Sequence, residues 1–117
     1  MREPRSLLPL TPAMFHVLLS LSDADRHGYA ILKEVAERTG GTVTLSTGTL
    51  YGLIKRALAE GLIVESRRRP RAGDDDERRR YYRLTDFGRQ VVTAEARRLE
   101  GLVASAWHKR VLRRSEG

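Results

Sequence analysis

The residues with the most chemical content lie between Leu45 and Arg83, and most of them carry a hydroxyl or a positive charge. Thr47, Thr49 and Tyr51 supply hydroxyls, and Lys55 and Arg56 follow at helical spacing. Arg67, Arg68, Arg69 and Arg71, then Arg78, Arg79 and Arg80, form two further basic runs. A guanidinium presents a planar fork of donors that matches a phosphate, or the edge of a guanine, in bidentate fashion. Hydroxyls bond phosphate oxygens as well. Nineteen of the 22 cations are arginine, which favours planar recognition over point-charge attraction. Gly48 and Gly52 stand among these groups and project no side chain, so another backbone could approach closely there. The chemistry on offer is nucleic-acid recognition.

Other chemistries find less support. His16, His27 and His108 stand alone, without carboxylate or histidine neighbours at ligand spacing, and there is no cysteine, so no metal site is expected. Gly40-Gly41 and Gly48 lack the lysine spacing of a phosphate-binding loop. No Ser, His and Asp grouping stands out for nucleophilic catalysis. No catalytic residue and no cofactor is therefore assigned.

The elements that must hold these groups can be read from periodicity and punctuation. Ser46 opens a helix as a hydroxyl cap; Leu50, Leu53, Ile54, Ala57 and Leu58 give it one apolar stripe, and Gly61 ends it. Thr47, Gly48, Thr49, Gly52, Lys55 and Arg56 fall away from that stripe. Leu62 to Val64 begins a strand and Arg80 to Leu84 supplies its partner, with Tyr82 expected on the core face beside Leu84. The loop between them carries the arginines and an acidic tip, Asp74 to Glu77. That tip either holds the arginines off random duplex or is a solvated loop. Upstream, Thr11-Pro12 starts a helix that is apolar over much of its circumference, and His27-Gly28 starts a second that Thr39-Gly40-Gly41 stops. Thr42 to Leu45 alternates weakly and is expected to be a short third strand. A last helix runs from about Asp86 towards Val111, with Gly101 as a candidate break.

The expected fold is mainly α with a small β-hairpin wing: a winged helix-turn-helix plus one C-terminal dimerisation helix. Residues 11–88 would form the DNA-binding domain, 89–112 the dimerisation helix, and 1–10 and 113–117 flexible termini. At 117 residues such a chain buries a modest core, so a homodimer is a natural supplement. Its expected interface comprises Phe15, Leu18 and Leu19 of the first helix with Leu99, Leu102, Val103, Ala106 and Trp107 of the last.

Charge distribution agrees with that layout. Residues 1–45 hold five Lys or Arg against five Asp or Glu, whereas residues 46–83 hold ten against six and residues 84–117 seven against four. The net +7 is thus concentrated from the third helix onward. No apolar run is long enough to span a bilayer and residues 2–10 lack the apolar core of a signal peptide, so no membrane partner and a cytoplasmic location are expected.

The motifs that punctuate these elements resemble those of the PadR-like winged-helix transcription regulators, in the short form with a single C-terminal helix. They are His27-Gly28-Tyr29, Ser46-Thr47-Gly48-Thr49-Leu50-Tyr51, Glu60-Gly61-Leu62-Ile63, and Arg80-Tyr81-Tyr82-Arg83-Leu84-Thr85 with Gly88. The resemblance implies a homodimeric repressor of transcription binding double-stranded DNA through a two-fold symmetric operator. It places the DNA-facing positions on Thr47, Gly48, Thr49, Tyr51, Lys55 and Arg56, followed by the wing arginines. Some relatives hold flat apolar molecules between their C-terminal helices, against an aromatic residue near the middle, so a small-molecule effector of unknown identity stays open as a partner without being implied. Here that region offers Leu99, with Trp107 two turns later. Two alternatives stay open on the residues alone: a nucleic-acid-binding protein without sequence preference, such as a nucleoid or RNA-binding protein, and a protein-interaction module.

Overall fold

Among the described residues, each of four α-helices begins where a side chain accepts a hydrogen bond from the first turn. A computed structural model describes residues 2–67 and 80–114. Helix α1 (Pro12–Ser20) is capped by Thr11, whose hydroxyl accepts from the Met14 N–H at 3.2 Å. His27 caps α2 (Gly28–Arg38), its Nδ1 accepting from the Ala30 N–H at 3.1 Å. An accepting Nδ1 places the ring hydrogen of a neutral imidazole on Nε2. Ser46 caps α3 (Thr47–Ala59), and Thr85 caps α4 (Asp86–His108) by accepting from the Gly88 N–H at 2.9 Å. Gly61, with φ of 74°, turns the chain out of α3.

Three short antiparallel strands complete the domain: β1 (Arg26–His27), β2 (Ile63–Ser66) and β3 (Tyr81–Leu84), in the order β1-β3-β2. Ile63 pairs with Leu84 and Ser66 with Tyr81, while Arg26 pairs with Tyr82. Ile63, Leu84 and Tyr82 are buried, and burial pushes the Tyr82 phenol up from its ordinary value. They join Met14, Val17, Leu18 and Leu21 of the α1 region, Ile31 and Val35 of α2, Leu50, Ile54 and Ala57 of α3, and Val91 and Val92 of α4 in one core.

The start of α4 is locked to the end of α3. Thr85 donates its hydroxyl to the Gly61 carbonyl at 2.6 Å and its N–H to the Leu62 carbonyl at 3.0 Å. A Cβ on Gly88 would lie 2.0 Å from the Leu62 carbonyl oxygen, so only glycine permits this approach. Further along α4, Glu95 is 2% exposed and its carboxylate accepts from Arg98 at 2.5 and 2.9 Å. The Arg98 hydrogen bond, helped by a backbone hydrogen bond from Leu10, holds that carboxyl below the usual range despite burial.

Several expectations are corrected. The third strand is Arg26–His27, not Thr42 to Leu45, because the turn before α2 lies against β3 whereas residues 43–46 have no ladder partner among the described residues. The segment expected to be loose instead forms a 3-10 helix at Pro4–Leu7, and Leu7, Leu8 and Leu10 pack on the core. Gly101 does not interrupt α4. Leu58, placed on the apolar stripe of α3, is 40% exposed, since it lies at the margin of the buried arc set by Leu50, Ile54 and Ala57. Among the described residues no helix is long and apolar enough to cross a membrane.

Candidate nucleic-acid interface

Helix α3 turns its unburied arc outward as a face of small, hydroxylated and basic residues. Thr47, Gly48, Thr49, Tyr51, Gly52, Lys55 and Arg56 are all exposed. Gly48, Gly52 and Lys55 lie near the centre of that arc, 100° per residue placing them within half a turn of one another. Arg56 and Thr49 form one flank and Tyr51 the other. Neither Lys55 nor Arg56 forms an ion pair among the described residues, so both charges are available to an anion.

The two glycines are informative through what surrounds them. A Cβ at Gly48 or Gly52 would meet none of the described residues within 4 Å, and neither has a left-handed φ. The chain's own packing therefore does not require glycine at either position. Glycine inside a helix costs about 0.5–1 kcal/mol relative to alanine.

The first turn is held by Ser46, whose Oγ accepts from the Thr49 N–H at 3.1 Å and donates to Thr49 Oγ1 at 2.9 Å. The Thr49 hydroxyl is thereby oriented with its own hydrogen free to point away from the cap. Tyr51 is 49% exposed, and its ring crosses Gly28 at the head of α2, where a Cβ would come 2.6 Å from the Tyr51 hydroxyl oxygen. Tyr51 thus sits beside the N-terminus of α2, whose free N–H groups and dipole favour an anion. The motif at residues 27–29 was legible as a helix start, but nothing in its spacing showed that Gly28 makes room for Tyr51.

At the wing, Arg67 and Arg80 are exposed and flank the Ser66–Tyr81 pair that ends the described ladder. His27 meets Tyr81 edge-on with ring centroids 5.2 Å apart, so the base of the wing adjoins the head of α2. The remaining wing positions, Arg68, Arg69, Arg71, Arg78, Arg79 and the acidic run Asp74 to Glu77, lie outside the described residues. No group of three or more His, Asp or Glu able to hold a metal ion occurs among the described residues.

A second surface lies on the C-terminal half of α4. Leu102, Val103 and Trp107 are 56%, 48% and 47% exposed, while Leu99 and Ala106 are half-buried. Phe15 and Leu19 of α1 are likewise half-buried against the core. Leu18, expected at the same interface, is corrected: it is 0% exposed inside its own chain and offers no surface to a second copy. The pairing of Arg2, in the N-terminal segment, with Glu60 had no sequence signal, because 58 residues separate them.

Helices α1 to α3 with the small antiparallel sheet, and α4 appended, form a winged-helix fold with an exposed basic face on α3. The chain belongs to the PadR-like family of transcriptional regulators, whose family model matches residues 17–94. A transcriptional regulator from Clostridium thermocellum is 25% identical, with 82% of this chain and 86% of that one covered and a TM-score of 0.65. A PadR family transcription regulator from hypervirulent Clostridium difficile is 26% identical, with 80% and 95% covered and a TM-score of 0.65. The fold is also that of Bacillus subtilis PadR in complex with operator DNA, at 21% identity, 92% and 51% coverage and a TM-score of 0.58. No curated protein matches the sequence.

Proposed function

We propose that this protein is a homodimeric repressor that reads a two-fold symmetric operator with α3 and steadies itself on phosphate with its wing arginines. The observation that carries the reading is the outward face of α3, where two glycines that approach no other described residue lie beside Lys55 and Arg56, which form no ion pair among the described residues. A helix of this width with a bare centre enters the major groove closely, and its N-terminal residues, Thr47 and Thr49, then lie nearest the base edges. Tyr51 and the head of α2 meet the flanking phosphates, as do Arg67 and Arg80. The operator complex of the Bacillus subtilis relative supports duplex DNA as the partner. Apolar surface at Leu102, Val103 and Trp107 supports pairing through α4, with Phe15 and Leu19 adjoining. A closed C2 pair would place the two reading helices on symmetric half-sites.

The decisive experiment is selection of bound duplexes from a random pool. A two-fold symmetric motif with half-sites about 10 bp apart is the expected result. A pool with no enriched motif, bound with strong salt dependence, would instead identify a nucleic-acid binder without sequence preference.

A further inference from the structure

The first described residues run as a band from the far end of the reading helix to the middle of α4. Arg2 donates through one guanidinium nitrogen to Glu60 Oε2 at 2.6 Å and through the other to the Glu60 carbonyl oxygen. The same guanidinium lies 5.1 Å from the centroid of the Phe87 ring. Glu60 is the residue that closes α3, and Phe87 is the second residue of α4. Leu7, Leu8 and Leu10 then pack along the core, and the Leu10 backbone helps hold the Glu95 carboxyl below its ordinary value.

Each contact has a physical reason. The last carbonyls of a helix lack partners within it, and a cation there meets the negative end of its dipole. Arg2 satisfies one such carbonyl and pairs with the carboxylate of the same residue. The face of Phe87 attracts the remaining side of the guanidinium. One side chain therefore bonds the last turn of α3 and the first turn of α4 at once. Arg2 thus adds a side-chain tie, on the flank of Glu60 and Phe87, to the Thr85 hydrogen bonds and the Gly88–Leu62 contact that already lock the start of α4 to the end of α3.

We propose that Arg2, acting through Glu60 and Phe87, is a positioning residue that sets the reading helix relative to α4, and so the separation of the two reading helices in the dimer. The inference rests on the two-fold operator reading above. In a C2 dimer joined through α4, the offset from α3 to α4 within one protomer is counted twice between the two α3 helices. Half-sites lie about 34 Å apart, and one base pair moves them by about 3.4 Å, with the matching rotation. A fixed offset makes the protein intolerant of altered spacing. A looser one blunts that intolerance.

The test uses the full chain and its selected operator, together with versions carrying one base pair added or removed between half-sites. Wild type, Arg2→Ala, Arg2→Lys and Glu60→Gln are titrated at several salt concentrations. For Arg2→Ala, affinity at native spacing should fall by about three- to tenfold, in the range of coupling changes along a contact network. The penalty for altered spacing should shrink by a similar factor. The salt slope should stay unchanged, because no phosphate contact is lost. Arg2→Lys should be intermediate, keeping the charge without the planar fork. A spacing penalty equal to wild type in Arg2→Ala and Glu60→Gln overturns the proposal even if both variants melt earlier. A salt slope reduced by about one per protomer overturns it too, since Arg2 would then touch phosphate itself. A wild type indifferent to spacing would instead sink the two-fold operator reading. The tie is then judged without DNA, by hydrogen exchange at the amides of Glu60, Gly61 and Leu62. Faster exchange in Arg2→Ala supports it, and unchanged exchange refutes it.

Discussion

Gly52→Ala is expected to make the protein more stable and a weaker DNA binder. Gly52 lies in the middle of α3, and the added Cβ would meet none of the described residues within 4 Å, so no steric cost offsets the gain in helix propensity. That gain is about 0.5–1 kcal/mol, and Gly48→Ala, one residue inside the helix start, should give less of it. On the duplex the same methyl intrudes where backbone and groove approach. Overpacking of this kind costs about 1–3 kcal/mol, and a symmetric dimer suffers it at both half-sites. The operator Kd should therefore rise by roughly tenfold or more, each 1.4 kcal/mol being a factor of ten. Urea unfolding of the free protein and fluorescence anisotropy with the selected duplex measure the two effects separately. A variant that is stabilised and binds as tightly as wild type would show that the glycines are not kept for DNA. One that is destabilised would refute the open surroundings seen at residue 52.

Gly88→Ala should lose about 3 kcal/mol or more, because its Cβ would fall 2.0 Å from the Leu62 carbonyl oxygen; wild-type stability in urea would contradict that fixed contact. Glu95, whose carboxyl lies below its ordinary value of 4.5, contributes stability that is full above that value and lost as pH falls through its folded pKa. Glu95→Gln should thus be less stable than wild type at neutral pH, with the gap closing in acid; a gap independent of pH would count against the pairing with Arg98. Leu102→Asp with Val103→Asp places unpaired charge on the exposed stripe of α4 and should give monomers by light scattering, whereas a stable double-mutant dimer would move the interface elsewhere. Lys55→Ala or Thr49→Ala should change the preferred sequence, at about 1–3 kcal/mol per lost base contact, while Arg67→Ala or Arg80→Ala should lower affinity and salt slope alike on every sequence. Binding to single-base operator variants decides this, and reversal of the two patterns would reverse the roles.

Legibility in the sequence followed the range of the interaction. Ser46 and Thr11 announced helix starts because a cap is chemistry within three residues. The outward face of α3 could be read because periodicity alone separates Lys55 and Gly52 from Leu50 and Ile54. Tyr82 was separable from Tyr81 by strand alternation from Leu84. Strand β1 was not legible: two residues carry no periodicity, and their partner lies over 50 residues away. The burial of Glu95 had no sequence signal, since it depends on Arg98 and on Leu10 in a distant segment. Leu18 and Phe15 look alike as apolar residues of one helix, and only the packing of α2 and α4 around α1 shows that one is inside and the other at the margin.

The stitching of Thr85 and Gly88 to Gly61 and Leu62 has a consequence for how such a protein can change. The two ends of the wing are clamped at its root by short hydrogen bonds and a close backbone contact, none of which involves the segment between residues 67 and 80. Contacts outside that segment thus bring its two ends together. Lengthening a loop closed in this way costs little, about 0.6 kcal/mol for each doubling. The wing is therefore an exchangeable cassette: its length and charge can be rewritten, by evolution or by grafting, to retune hold on DNA while the reading helix and the core keep their sequence.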